Sequence, residues 1–400
     1  MPQYLQFVKD QEGVVMLKEL KIAQLGSWIP IPPPGWGGVW SSVFQLSKTL
    51  SEKGYKISII GVKGHITSER LNLSFYEIPS LPIPSYGFFA HLKTLCCSFL
   101  IILRLFILVK KKEVQIIHAH GQTQAFLSIL AKKIFRWKTP IVYTCHNPYV
   151  LSEFNFLTKI LNLFEPFALH FSDAIIAQTE SVAKVLTGRF RIKTSKIKVI
   201  PTLNFIETPR VGRKSPNSFI VLNVGIICHR KNQLALVKTI PKVIKEVPNV
   251  KFIFIGPVKD SSYFKILNEF IEKENLSNYV KFCGEVSPQE LYQAYESATL
   301  FAFPTLAETQ GAVVLEAMSF GLPVIASKIG PIEDIVKLEP GCAKLINSND
   351  TSELANAIIT VLKDKKIAEE MSVKGKKLAE RLNTEIPLKI RELYESLLEN

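Results

Sequence analysis

The chain lacks the features that mark a disulfide scaffold, a zinc centre or a membrane span. Its six cysteines (Cys96, Cys97, Cys145, Cys228, Cys283 and Cys342) form no Cys-x-x-Cys pair and lie among apolar runs, as buried free thiols do. That excludes a disulfide framework and a thiolate metal site, and it predicts a reducing compartment. No Asp-x-Asp pair occurs. The N-terminus has no basic leader, apolar core and cleavage pattern, so no secretory signal is expected. No apolar run reaches the ~20 residues that a spanning helix needs. Charged residues are only 21%, against 47% hydrophobic, which excludes a disordered chain.

Acidic residues are also short, 35 against 49 Lys and Arg, leaving a net charge of +14. Such a balance favours anionic partners: nucleotide phosphates, an anionic membrane surface or nucleic acid. No basic stripe interleaved with aromatics and no nucleic-acid motif occurs, so no nucleic acid is expected as partner. A basic nucleic-acid-binding protein stays as the rival of another class; its binding would fall steeply with salt. Four hundred residues predict two domains, each with its own core.

Most of what is present concentrates between Phe301 and Ala326. A short apolar strand ends at Pro304, a polar loop follows, and Gly311–Phe320 favours helix until Gly321 and Pro323 stop it. Val324 then begins another buried strand. This is strand, loop, helix, strand, half of a doubly wound sheet. Glu308 lies just ahead of a helix N-terminus, whose free N–H groups suit a phosphate or a hydroxyl-rich ligand. It could equally complement the helix dipole. Glu316 sits among Val314, Leu315, Ala317 and Met318, a costly place for a carboxylate unless it meets something polar or lies on a solvated stripe. Upstream, Arg230 and Lys231 precede a helix from Gln233. Cations suit that end of a dipole poorly, so they are expected to answer an anion; a solvated basic loop is the alternative.

The N-terminal half repeats the pattern. Leu20–Leu25 reads as a strand, followed by a proline-rich loop and by Gly37-Gly38 opening a helix; the pair alone reads as a plain loop, and its place after the first strand makes it a point where a ligand can approach the backbone closely. Strands at 114–119 and 140–145 end in His118-Ala119-His120 and Thr144-Cys145-His146. Ligands of open α/β sheets bind at such carboxyl ends. The alternate histidines lack a third ligand of suitable spacing, so no metal is expected. Leu95–Val109 is nearly all apolar and runs into Lys110-Lys111-Lys112. It reads either as a helix packed on the sheet or as a surface resting on anionic lipid.

Taken together, Pro304, Glu308-x7-Glu316 and Ala317-Met318-x-x-Gly321-x-Pro323-Val324-Ile325-Ala326 resemble the signature of family-4 retaining glycosyltransferases of the GT-B fold, over roughly residues 17–395. The resemblance implies an α/β protein of two Rossmann-like domains facing a cleft. It implies that Glu308, Thr309, Gln310 and Gly311 face the donor sugar and that Glu316 holds the nucleotide ribose. Lys231, six residues after Gly225, matches the family's diphosphate-binding lysine; Ile226 replaces the usual arginine, and Arg230 is expected to compensate. The same resemblance places Gly37 and Gly38 against the diphosphate and acceptor. It sets His120 and His146 in the cleft, the latter against the sugar, and Val286 beside the base. Two departures bear on specificity: Gln310 stands where the family has Phe, and Trp40 where many relatives have Glu.

The expected organisation is a disordered extension at 1–15, an acceptor-side domain at 16–206, a linker at 207–218, a nucleotide-sugar domain at 219–383 and a helix at 384–400 crossing back to the first domain. The expected activity is metal-independent, retaining transfer of a hexose from a nucleotide sugar to a glycan or lipid hydroxyl, with no cofactor. It would take place in the cytoplasm or peripherally on the inner membrane face. Glu308, His146, Lys231 and Arg230 are the expected catalytic residues. A sugar-nucleotide epimerase or a phosphorylase on the same scaffold is the alternative, since fold does not determine function.

Overall fold

The computed structural model describes residues 7–9, 15–17, 20–30, 39–62, 73–78, 87–146, 164–202 and 219–399. The chain divides into two compact units. One is Met1–Leu203 with Glu385–Asn400, and the other is Asn204–Thr384.

In the first unit, β1 (Phe7–Lys9) and β2 (Val15–Leu17) pair antiparallel. The unstructured extension expected over residues 1–15 thus gives way to a strand at Phe7–Lys9. The main sheet comprises β3 (Lys21–Pro30), β4 (Lys56–Val62), β5 (Leu73–Ile78), β6 (Ile116–Ala119), β7 (Ile141–Cys145), β8 (Ala174–Ala177) and β9 (Ile197–Val199), all parallel in the order β5-β4-β3-β6-β7-β8-β9. Strand β3 runs five residues beyond the expected end at Leu25. Its register against β4 shifts between Leu25 and Pro30, a bulge-like irregularity across which the strand continues. Helices α1 (Val39–Glu52), α2 (Gly87–Lys110), α3 (Gln122–Phe135), α4 (Phe164–Phe171) and α5 (Glu180–Gly188) make the crossovers.

The second unit has a parallel sheet in the order β12-β11-β10-β13-β14-β15. Its strands are β10 (Phe219–Val224), β11 (Val250–Ile255), β12 (Val280–Phe282), β13 (Leu300–Phe303), β14 (Val324–Ser327) and β15 (Lys344–Ile346). Helices α6 (Gln233–Glu246), α7 (Ser261–Lys273), α8 (Pro288–Ser297), α9 (Ala312–Ser319), α10 (Gly330–Leu338) and α11 (Thr351–Lys363) follow the strands in turn. Helix α12 (Lys365–Glu399) ends the chain, and its residues from Glu385 onward belong to the first unit.

Both sheets read as apolar runs because parallel strands are covered on both faces. Val221, Phe252, Phe254, Leu300 and Ile325 form the second core with Leu236, Ile240 and Ile358 from the helices. In the first unit Ala23, Leu25, Ile60 and Ile117 pack against Ile101, Leu105 and Leu108 of α2. Strand order reverses between β3 and β6 in one sheet and between β10 and β13 in the other. Crevices at the carboxyl ends of those strand pairs are where such sheets hold ligands.

Candidate active site

In the second unit the reversal point carries the cations. Strand β10 ends at Val224, and Gly225 follows it with a φ of +153° that lets the chain leave the sheet; its N–H donates to Ile255 O at 2.8 Å. A 3₁₀ turn at His229–Lys231 follows, and Asn232, at φ 54°, starts α6. The Lys231 stem lies against Gly225 and its ammonium stands 4.7 Å from the centre of the Phe303 ring. Lys231 is thus buried, at 9% exposure, with its charge at the strand ends.

The loop after β13 supplies the answering carboxylate. Glu308 Oε1 accepts from Lys231 Nζ at 2.5 Å, from Arg230 Nη1 at 3.0 Å and from Thr305 Oγ1 at 3.0 Å. Arg230 also donates to Ala307 O at 2.8 Å, and Leu306 N donates to Arg230 O at 2.8 Å. Two loops 77 residues apart are therefore sewn together around one carboxylate oxygen. The cluster holds two cations and one anion, so it keeps a net positive charge for an incoming anion. Gly311 caps α9 at φ 79°, and a Cβ there would fall 2.3 Å from Ile332 Cδ1. Glycine takes that φ without strain, so the loop can enter α9 at that point. Gln310 is buried at the same turn.

Glu316 sits within α9, buried, and its Oε2 accepts from Tyr295 Oη at 3.0 Å. Burial pushes its carboxyl up to about 7, offset in part by the tyrosine bond. The Tyr295 ring stacks on Phe320 at 5.0 Å. Val286 is half-buried after β12, next to Ser287, which caps α8 with a reciprocal bond to Glu290.

The first unit gathers three histidines in an oriented chain. Gln178 Nε2 meets His146 Nδ1 at 3.0 Å, and His146 Nε2 meets His120 Nδ1 at 3.0 Å. His120 Nε2 meets Gln24 Oε1 at 2.7 Å, and Gln24 Nε2 donates to Tyr394 Oη at 3.3 Å. Tyr394 Oη meets His118 Nδ1 at 2.6 Å, and His118 Nε2 meets Thr144 Oγ1 at 2.7 Å. The Gln24 carbonyl can only accept, so His120 carries its proton on Nε2, and His146 follows as the Nε2–H tautomer; His118 lies between two hydroxyls, each able to donate or accept. Burial holds His118 and His146 down at about 3 and His120 well below its ordinary value, so all three are neutral. Among the described residues no group of His, Cys, Asp and Glu is placed to hold a metal ion. Gln178 Oε1 is buried with no partner among the described residues.

Strand β7, which delivers His146, is pinned on both faces. Thr144 bonds the histidine chain, while Tyr143 Oη and Cys145 Sγ donate to buried Glu165 at 2.8 and 3.2 Å. Burial pushes Glu165 up to about 7.

A family model described as Glycosyl transferases group 1 matches residues 204–378, and one described as Glycosyltransferase Family 4 matches residues 36–203. The fold is that of sucrose-phosphate synthase from Thermosynechococcus elongatus (TM-score 0.77, 20% identity, covering 95% of this chain and 99% of that one). The chain belongs to the family-4 glycosyltransferases of the GT-B fold. This glycosyltransferase is also similar in fold to Anabaena HepE, solved in complex with UDP and glucose (TM-score 0.71, 22% identity, 94% and 100% coverage). In sequence it is 26% identical over 352 residues to the phosphatidylinositol N-acetylglucosaminyltransferase GPI3 subunit of Saccharomyces cerevisiae, covering 83% of this chain and 74% of that one. It is 27% identical over 316 residues to the alpha-monoglucosyldiacylglycerol synthase of Streptococcus pneumoniae, covering 73% and 68%.

The structure brings Glu308, Lys231 and Arg230 of this glycosyltransferase into one cluster, with Thr309, Gln310 and Gly311 continuing the same loop into α9. His120 and His146 meet each other, and both ring nitrogens of each are already hydrogen-bonded. Gly37 and Gly38 lie outside the described residues. Sequence reading passed over Thr305, Tyr295, Gln24, Gln178 and Tyr394. Gln178 had a signal, its place at the end of β8; Tyr394, inside a long amphipathic helix, had none.

Proposed function

We propose that this glycosyltransferase moves a hexose from a UDP-linked sugar to a hydroxyl on a lipid or growing glycan, with retention of anomeric configuration and without a metal ion. Its place would be the cytoplasm, on the inner membrane face when the acceptor is a lipid. The observation that carries this reading is the Lys231–Arg230–Glu308 cluster at the strand-order reversal of the second unit. When the bond from the anomeric carbon to the diphosphate breaks, negative charge passes to the departing phosphate. Lys231, Arg230 and the amides opening α9 would receive it, in the manner of an oxyanion site. Because side-chain cations supply that charge, a chelator is expected to leave the rate unchanged. The deciding experiment is a donor-by-acceptor screen that includes membrane lipid extract, with the product's anomeric coupling read by NMR. Sugar-nucleotide interconversion without acceptor, or an inverted product, would overturn the reading, and activity abolished by chelation would overturn its metal-free part.

Glu316 is assigned the ribose. An ionised carboxylate accepts from both ribose hydroxyls, whereas the protonated group spends an oxygen on its own hydrogen. Nucleotide binding should then favour the ionised form of a group poised at about 7. Affinity for UDP is expected to rise about tenfold between about pH 6 and pH 8, with about half a proton released on binding near neutrality. In Glu316→Gln this component should vanish and affinity fall at least tenfold, the cost of losing hydrogen bonds to a charged group. Titration calorimetry in buffers of different ionisation enthalpy measures both. An unchanged proton count in the variant would remove Glu316 from the nucleotide site.

A further inference from the structure

Helix α2 has two apolar faces. One, with Ile101, Leu105 and Leu108, is buried on the sheet of the first unit. The other exposes Phe99, Leu103 and Ile107, spaced four apart, at 57%, 47% and 43%. The neighbouring α3 exposes Leu130, Ile134 and Phe135, and the rings of Phe106 and Phe135, 4.6 Å apart, join the two helices into one surface. Phe171 of α4 extends it, with the Lys133 ammonium 3.5 Å from its ring centre. Of thirteen exposed large hydrophobic side chains among the described residues, seven lie on these three helices. A concentration of that kind marks a surface that meets something apolar.

The charge around it identifies what. Between positions 87 and 138 the chain has nine Lys and Arg residues and a single acidic one, Glu113. Lys110, Lys111, Lys112, Lys133, Arg136 and Lys138 carry no ion pair among the described residues, while Lys110 and Lys133 rest over aromatic rings. Exposed apolar side chains flanked by lysines without acidic partners, two of them with the ammonium over an aromatic ring, suit the boundary between headgroups and acyl chains. A second copy of this chain would bring like charges face to face, which opposes self-association. Among the described residues no helix is long and apolar enough to cross a membrane, and α2 keeps one face in the core. The arrangement fits lying on a bilayer.

We propose that the α2–α3 face of the first unit is a docking surface for anionic lipid bilayers. It gives the lipid-acceptor reading of the preceding section a physical place, but it stands on its own observations. The test is co-sedimentation of the full-length protein with phosphatidylcholine vesicles, with and without phosphatidylglycerol, at low and high salt. Binding is expected only to the anionic vesicles and is expected to weaken with salt. Lys110→Glu/Lys111→Glu/Lys112→Glu should lower the partition coefficient more than tenfold, since each change turns an attraction to the anionic surface into a repulsion. Leu103→Ser/Ile107→Ser should lower it as well. Both variants should keep full activity on a water-soluble acceptor, which shows that they fold. No binding by the native protein, equal binding to neutral vesicles, or unimpaired binding by both variants would overturn the proposal. So would a salt-resistant dimer that Leu103→Ser/Ile107→Ser dissolves. No donor sugar is needed for this readout, so failed docking leaves the transfer reading standing, and an inactive protein that still binds vesicles sinks that reading alone.

Discussion

Lys231→Met is expected to lower the turnover of sugar transfer by about 10²–10³-fold, the usual cost of removing one preorganised group that stabilises charge developing in a transition state. Methionine retains the long stem that packs against Gly225 and Phe303, so the substitution removes the charge and little of the packing. Glu308 Oε1 would still accept from Arg230 and Thr305, so the variant is not left with an unpaired buried carboxylate. KM for the donor should change less than kcat, because the added charge on the diphosphate appears only as the sugar departs. Arg230 is more exposed than Lys231, and its charge is better screened. Arg230→Ala should accordingly cost only about tenfold. Steady-state kinetics on the three proteins decides the matter. If Lys231→Met kept full activity while Arg230→Ala lost it, the leaving-group role would move to Arg230.

The strands of both units were legible because parallel sheets demand uninterrupted apolar runs, and the loops after them because glycine, proline and charge cluster there. The residues at the reversal points could be named one at a time for the same reason. Their pairing could not. Lys231 and Glu308 come from different loops, and only the order of β10 and β13 in the folded sheet makes them neighbours. On the sequence Glu308 could as well have served the dipole of the helix it precedes; in the structure its Oε1 is held by Arg230 and Lys231 from a distant segment and by Thr305 of its own loop. The histidines show the same limit. The absence of a third ligand was judged along the chain, yet His146 lies against His120 because β6 and β7 are adjacent, with Ala119 opposite Tyr143. What assembles there is a hydrogen-bonded pair of neutral rings. Tyr394 reaches His118 across 276 residues, a contact no local pattern encodes. Leu95–Val109 was ambiguous because it is nearly all apolar; burial separates its faces, one packed on the sheet and the other exposed.

Gly256→Ala should destabilise the second unit severely and loosen its hold on nucleotide, for a reason visible only in the folded chain. Gly256 follows β11 at φ +140°, and its backbone passes so close to Gly225 that a Cβ would lie 2.2 Å from the Gly225 carbonyl oxygen and 2.6 Å from its carbon. Neither neighbour is a flexible side chain that can swing away. Gly225 N is held by Ile255 O at 2.8 Å, and Gly256 N by Gly284 O at 2.8 Å, so the ends of β10, β11 and β12 would have to part. Strain at positive φ costs about 1–3 kcal/mol and overpacking a similar amount. Together these should lower the unfolding temperature of a unit this size by roughly 10 °C. The stem of Lys231 rests on Gly225, so UDP affinity should fall at the same time. Gly284→Ala separates the two causes. Gly284 also has positive φ, +67°, but no atom lies within 4 Å of a Cβ built there. That variant meets strain without crowding and should lose only about 1 kcal/mol, with nucleotide binding intact. Calorimetric unfolding with and without UDP compares the pair. Equal losses in the two variants would show that conformational strain alone sets the cost, and that the contact of the β10 and β11 ends does not shape the nucleotide loop.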